Sequence, residues 1–151
     1  MIPVLTQYHK TPFGEIILGS YQDELVLCDW RYRKMRKNVD LRITKSLNTA
    51  FEKGSSEIID RTIIQLEEYF NGKREKFSIP IKLIGTEFQQ SVWNELIKIP
   101  FGKTESYLSL SKKLGNEKAI RAVATANGAN AISILIPCHR IIGSDNSLVG
   151  Y

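Results

Sequence analysis

Residues 106–127, SYLSLSKKLGNEKAIRAVATAN, are the stretch that decides the fold of this 151-residue chain. Ser106 is a residue type that caps helices, and the pattern after it predicts a short helix that Gly115 ends. A second helix then starts at Asn116 or Glu117 and stops at an Asn-Gly pair. Two helices joined by a three-residue turn that contains glycine are typical of the helix-turn-helix motif.

The second helix of such a pair is the one that meets the DNA duplex. Arg121 is the cation that we expect on its exposed face. Four small residues lie along the same helix, namely Ala122, Ala124, Ala126 and Gly128. They allow either close approach of the backbone to a DNA groove or close packing against another helix. Plain packing is also the alternative for the helix pair as a whole.

The N-terminal half predicts a small sheet and one helix. The first 30 residues predict a meander of about three short strands, with turns at residues 11–14 and 22–24. The basic run at residues 31–37, RYRKMRK, is interpreted as a solvated loop or strand edge. An amphipathic helix is expected over residues 56–72, followed by an extended connector over residues 73–83 that contains a proline.

The second half begins with a further helix. Thr86 and Gln89 form a capping box at its start, and the Pro-Phe-Gly at residues 100–102 ends it. We therefore expect an α+β fold in two parts. Residues 1–84 would form a small antiparallel β-sheet subdomain with a helix and a connector. Residues 85–151 would form a mainly helical subdomain that contains the helix-turn-helix and a candidate active-site cysteine.

Composition, charge and cysteine content favour a soluble intracellular protein. Hydrophobic residues make up 42% of the chain, and no run approaches the roughly 18 apolar residues that a membrane span needs. Two cysteines, Cys28 and Cys138, are too few for a disulfide scaffold, so a reduced cytoplasmic setting is expected. The protein would be nucleoid-associated there or, in a eukaryote, nuclear. The net charge of +5 suits a polyanionic partner without requiring one.

The candidate reactive group lies in residues 136–144, IPCHRIIGS. Cys138 follows Pro137, which stiffens the backbone, and precedes His139 and Arg140. A thiolate is a strong nucleophile, and nearby imidazole or guanidinium groups favour this ionised form. The alternative is a small buried apolar cysteine beside a surface histidine. Cys28 and His9 lack the further ligands of a metal site, and no metal is expected.

Three segments together resemble the O6-alkylguanine-DNA alkyltransferases. They are GTEFQQSVWNELIKIPFGKTESY at 85–107, GNEKAIRAVATANGAN at 115–130 and ILIPCHRIIGSDNSLVGY at 134–151. TPFGEIILG at 11–19 and QLEEYFNGKREKFSIPI at 65–81 resemble the N-terminal half of that family more loosely. The resemblance implies a ribonuclease-H-like first subdomain and direct repair of DNA. The alkyl group of O6-alkylguanine would pass to Cys138, with O4-alkylthymine as a second candidate substrate.

The resemblance also implies a role for individual residues. Cys138 matches the alkyl acceptor, His139 the histidine that helps to ionise it, and Tyr107 the tyrosine that assists nucleotide rotation and bonds the flipped guanine. Arg121 matches the arginine that enters the base stack, and Asn130 matches the hinge asparagine. The substrate pocket would further include Pro137 and Tyr151, and the DNA-binding surface Ala122, Ala124, Thr125 and Arg140.

The chemistry of these residues agrees with such a transfer. A thiolate can displace the alkyl carbon from guanine in one step, and Tyr107 would donate to the leaving base. Adjacent residues of an extended segment point to opposite faces, so we expect a water to bridge His139 and Cys138. The target base must leave the stack, and Arg121 would fill the gap. Because the thioether product has no easy hydrolytic exit, each protein acts once.

Two features depart from the family pattern. The family continues past the tyrosine matched by Tyr151 with a helix and a glutamate that orients the histidine, and neither can be assigned here. Ala131 follows Asn130 where many relatives have proline. We expect a monomer that needs no cofactor, touches no membrane and binds alkylated double-stranded DNA through the minor groove. A non-catalytic sensor of alkylated DNA and a helix-turn-helix regulator are the alternatives.

Overall fold

A computed structural model describes residues 1–143. The chain divides into two compact units, the first spanning Met1–Ile84 and the second beginning at Gly85. Among the described residues, no helix combines the length and the apolar character needed to cross a membrane.

The first unit is built on a four-stranded sheet with the order β3-β2-β1-β4. Strands β1 (Val4–Thr11), β2 (Gly14–Tyr21) and β3 (Glu24–Trp30) form the expected antiparallel meander. Strand β4 (Phe51–Lys53) pairs in parallel with β1 and was not predicted. Helix α2 (Glu57–Phe70) is the expected amphipathic helix, and it packs on the three meander strands.

Helix α1 (Arg36–Leu47) precedes β4 and is held to the sheet by buried charge. The carboxylate of Asp29, at the end of β3, is fully buried and accepts hydrogen bonds from Arg33 at 3.0 Å and Arg36 at 2.9 Å. The interpretation of residues 31–37 as a solvated loop is therefore wrong for these two arginines. A buried carboxylate needs cationic partners, and this basic run supplies them.

The expected connector follows α2 and forms no strand of its own, only an isolated parallel bridge between Ile81 and Leu25. Its backbone runs beside the start of β3, where Leu25 N–H donates to the Pro80 carbonyl at 2.8 Å and Lys82 N–H donates to the Leu25 carbonyl at 2.9 Å. The connector thus satisfies backbone groups of the sheet without adding a full strand.

Up to residue 143, the second unit contains three α-helices. The capping box of Thr86 and Gln89 starts α3 (Glu87–Ile97) as predicted. Ser106 caps α4 (Tyr107–Lys113), and its hydroxyl accepts from the Ser109 N–H at 3.0 Å. Asn116 caps a 3-10 turn before α5 (Ile120–Gly128), so the expected second helix begins with a tighter turn. Helices α4 and α5 form the helix-turn-helix pair, and α5 also packs on α3.

Candidate active site and DNA-binding helix

Two short parallel strands bring the candidate cysteine to the start of α4. Strand β5 (Glu105–Ser106) immediately precedes Tyr107, and strand β6 (Ile141–Ile142) follows the 3-10 turn Cys138–Arg140. The strands pair Glu105 with Ile141 and Ser106 with Ile142. Their pairing therefore places the turn that carries Cys138 beside the first residue of the first motif helix.

Cys138 itself lies in this turn and not in an extended segment. Its N–H donates to the Ile136 carbonyl at 2.7 Å, and the Arg140 N–H donates to the Pro137 carbonyl at 3.0 Å. The extended geometry assumed for residues 138 and 139 was wrong, because Pro137 at ψ 65° turns the chain. The alternating-face argument for a bridging water therefore no longer applies. The Cys138 side chain is only 2% exposed.

Asn130 braces the loop that leads to Cys138. Its Nδ2 donates to the Ile136 carbonyl at 2.9 Å, and its Oδ1 accepts from the Ile132 N–H at 2.9 Å. The loop includes Ile134 at φ 74°, a left-handed conformation that β-branched residues rarely adopt and that costs roughly 1–3 kcal/mol. The amide of Asn130 thus bonds the main chain of the loop at two points.

Tyr107 and Cys138 are linked through a residue that the sequence analysis did not select. The Asn127 Nδ2 donates to the Tyr107 hydroxyl at 3.2 Å and to the Cys138 carbonyl at 3.4 Å. Burial raises the pKa of the Tyr107 phenol, the hydrogen bond from Asn127 lowers it, and the charge of Cys138 raises it. The phenol therefore stays protonated at neutral pH.

Asn127 was interpreted only as part of the stop signal for α5. One signal could have identified it, because the buried face of this helix carries Val123, Ala126 and Asn127 at positions i, i+3 and i+4. An amide in the apolar stripe of a helix requires hydrogen-bond partners in the interior.

His139 and Arg140 complete the turn in different surroundings. His139 is exposed, yet partial desolvation of its ring lowers its pKa, and the charge of Arg140 lowers it further. The imidazole is therefore mostly neutral at pH 7 and can accept a proton. The Arg140 guanidinium donates to the Ile99 carbonyl at 2.6 Å and lies 5.8 Å from the Phe101 ring centre. This contact ties the turn to the residues that follow α3.

The outer face of α5 carries the residues expected at the DNA. Arg121, Ala122 and Thr125 are exposed and Ala124 is half-buried, whereas Val123 and Ala126 face inward. The Trp93 Nε1 donates to the Ala126 carbonyl at 2.9 Å and fixes the end of the helix against α3. The helix can thus present Arg121 and small side chains to a groove.

The structure brings together Cys138, Tyr107 and the loop braced by Asn130, and it exposes Arg121 on the neighbouring helix face. Tyr151, expected in the pocket, lies outside the described residues. Within residues 1–143, no three His, Cys, Asp or Glu side chains cluster as metal ligands would.

A helix-turn-helix unit whose second helix is hydrogen-bonded to a turn that carries a cysteine is typical of a DNA-binding protein with a candidate cysteine nucleophile. The chain belongs to the 6-O-methylguanine DNA methyltransferase family. The ribonuclease-like domain of that family matches residues 4–83, and its DNA binding domain matches residues 87–151.

Curated relatives and solved structures agree with this membership. The constitutive methylated-DNA–protein-cysteine methyltransferase of Bacillus subtilis is 36% identical over 148 residues, which cover 94% of this chain and 82% of that protein. The methylated-DNA–protein-cysteine methyltransferase of Methanosarcina acetivorans is 38% identical over 142 residues, covering 94% of this chain and 85% of that protein. The structure of Mycobacterium tuberculosis OGT in complex with DNA has a TM-score of 0.81 and 31% identity, covering 97% of this chain and 83% of that chain.

Proposed function

We propose that this protein repairs alkylated DNA directly, by moving the alkyl group of O6-alkylguanine irreversibly to Cys138. The observation that carries the proposal is the position of Cys138. Cys138 lies in the 3-10 turn, and its carbonyl shares the Asn127 amide with the Tyr107 hydroxyl. Asn127 belongs to the helix that exposes Arg121, within a chain of this family. The proposed setting is the cytoplasm, where both cysteines remain free thiols.

The transfer is a single substitution. Neutral His139 takes the thiol proton, and a bridging water relays it between the two groups. The Sγ atom then bonds the alkyl carbon, the bond from that carbon to O6 breaks, and its electron pair passes to the guanine. Tyr107, protonated at neutral pH, donates to the base as negative charge grows. The product is a thioether, so each molecule reacts once.

DNA recognition is assigned to α5. The target base rotates out of the stack, at a cost on the order of a few kcal/mol, and Arg121 fills the space that it leaves. The small side chains of Ala122 and Ala124 allow the helix to approach the minor groove closely. That groove is poor in sequence information, which suits repair in any sequence. The protein is proposed to act as a monomer on double-stranded DNA, without cofactor or metal.

Cys28 provides a matched comparison for Cys138. It lies fully buried on β3, where burial raises the pKa of its thiol, the charge of Asp29 raises it further, and Arg36 opposes both. Such a thiol stays protonated and is a poor nucleophile.

Transfer of a labelled methyl group tests the proposal. We expect wild-type protein and Cys28→Ala to take up one methyl per molecule from a duplex that contains one labelled O6-methylguanine. The label should lie on the peptide that contains Cys138, and Cys138→Ala should bind the duplex without taking up label. Repeated turnover, or label on Cys28, would overturn the assignment. Binding of alkylated duplex without any transfer would favour the sensor, and equal affinity for unmodified sequence would favour the regulator.

A further inference from the structure

We propose that Asn127 is a positioning residue that directs the proton of the Tyr107 hydroxyl toward the bound base. The inference rests on the proposed function, because it requires a reaction in which Tyr107 donates to the departing guanine. Asn127 lies near the end of α5 and is 1% exposed, so it acts from the protein interior.

The orientation of the Asn127 amide follows from its two neighbours. Its terminal atom lies 3.2 Å from the Tyr107 hydroxyl oxygen and 3.4 Å from the Cys138 carbonyl oxygen. A carbonyl oxygen can only accept, so the atom that faces it must be the donating Nδ2. The same Nδ2 then donates to the phenol oxygen. A phenol that accepts from this amide must point its own O–H away from it.

The other end of the amide argues for a functional role. The Asn127 Oδ1 is buried and accepts no hydrogen bond from residues 1–143. A buried acceptor without a partner destabilises a fold, and leucine has a similar size without that cost. Val123 and Ala126, the other buried residues of α5, are apolar. The amide is therefore explained by what its Nδ2 does for Tyr107 and the Cys138 turn.

The neighbouring contacts keep this amide in place. The Trp93 indole N–H donates to the carbonyl of Ala126, the residue before Asn127, at 2.9 Å. On the other side, pairing of β5 with β6 fixes Tyr107 relative to the Cys138 turn. The amide therefore spans two elements that are each anchored independently, as a positioning role requires.

Electrostatics support the same role. Burial is the largest influence on Tyr107 and raises its pKa, whereas the hydrogen bond from Asn127 lowers it. Donation to the phenol oxygen stabilises the charge that develops there as the proton moves to guanine. Asn127 neither gains nor loses a proton. The bonds and protons that change are those of the transfer itself: sulfur bonds the alkyl carbon, and Tyr107 protonates guanine.

A double-mutant cycle on the free base O6-methylguanine tests the inference, because no duplex is then needed. The four proteins are wild type, Asn127→Leu, Tyr107→Phe and the double variant. We expect Asn127→Leu to slow single-turnover transfer by about tenfold, as for loss of one hydrogen bond. We expect the double variant to be no slower than Tyr107→Phe, since Asn127 acts only through the phenol.

Two further measurements separate positioning from general structural support. In wild type, the rate of transfer should fall at high pH as the phenol ionises. This fall should occur at higher pH in Asn127→Leu, because the hydrogen bond that lowers the pKa of Tyr107 is lost. In Asn127→Asp the carboxylate accepts the phenol O–H and turns it away from the base, so transfer should be slower than in Asn127→Leu. This variant also tests the inference if Asn127→Leu folds poorly.

Independent slowing by Asn127→Leu in the Tyr107→Phe background would overturn the inference, as would a wild-type rate in Asn127→Leu and Asn127→Asp. If Tyr107→Phe transferred the methyl group to Cys138 at the wild-type rate, Tyr107 would not be the donor, and the inference would be overturned. Failure of wild type to label Cys138 is the separate outcome that overturns the proposed function.

Discussion

His139 is the residue whose ionisation should govern the acid side of the reaction. Partial desolvation lowers its pKa from 6.5, and the charge of Arg140 acts in the same direction. The neutral imidazole can accept the thiol proton, whereas the imidazolium cannot. Since the folded pKa lies below the ordinary value, the base is available at pH 7 and is lost only as the pH falls below 6.5.

We therefore predict that single-turnover transfer decreases with an acid limb centred below pH 6.5, the ordinary histidine value. Proton NMR of the two histidines, assigned with His139→Gln, should give a matching pKa for His139. Single-turnover rates are measured between about pH 5 and 8, the range in which histidine titrates, and their acid limb is compared with the NMR pKa. A His139 pKa above the ordinary value would contradict this account of the base.

At the scale of single residues, the sequence predicted those whose chemistry is visible in the letters. Cys138 stands out because a thiol between proline and histidine is chemically distinctive, Arg121 because it is the cation of the second motif helix, and Tyr107 followed from the resemblance. Asn127 could not be found in that way, because its role depends on α5 meeting both Tyr107 and the Cys138 turn. The 3-10 turn was missed for a different reason, because residues 138 and 139 were expected to continue the extended segment, whereas backbone hydrogen bonds within residues 136–140 turn the chain.

Helix α5 is the element whose outer face should decide the difference between duplex and free-base substrates. Arg121 is exposed there, and the proposed gap exists only in a duplex. We predict that Arg121→Ala slows transfer from duplex DNA much more than transfer from free O6-methylguanine. The measurement is the single-turnover rate of wild type and Arg121→Ala, with saturating duplex and with the free base.

Lys118→Ala is the matched control for this prediction. Lys118 is an exposed cation in the 3-10 turn before α5, and we expect its loss to weaken duplex binding while leaving the two saturating rates in their wild-type ratio. Equal slowing of both substrates by Arg121→Ala would make the arginine a structural residue and would contradict the role of the helix.

Element prediction succeeded where the pattern is local. The Thr86–Gln89 capping box, the Ser106 cap and the periodicity of α2 are each contained within one element. Helix α1 was missed because only Val39 and Ile43 are buried on it and no side chain caps its start. Strand β4 is three residues long and exists only through its parallel pairing with β1, which no local pattern can reveal.

For the whole molecule, the net charge of +5 has two distinct roles. Part of it is internal, since Arg33 and Arg36 neutralise buried Asp29. Another part is exposed in the helix-turn-helix, at Lys112 near the end of α4 and Lys118 in the 3-10 turn before α5. Binding to DNA should therefore depend on where the charge lies and not only on its sum.

Salt dependence separates these two contributions. Each lysine that neutralises a phosphate releases a counterion, so its loss should reduce the slope of log affinity against log salt by about one. We predict that Lys112→Ala combined with Lys118→Ala reduces the slope by about two for duplex DNA. Lys73→Ala combined with Lys76→Ala removes the same charge from exposed positions of the connector and should leave the slope near wild type. Fluorescence anisotropy of a labelled duplex over a salt series measures both pairs. Equal slopes for the two pairs would mean that the overall charge, and not the helix-turn-helix surface, binds the phosphates.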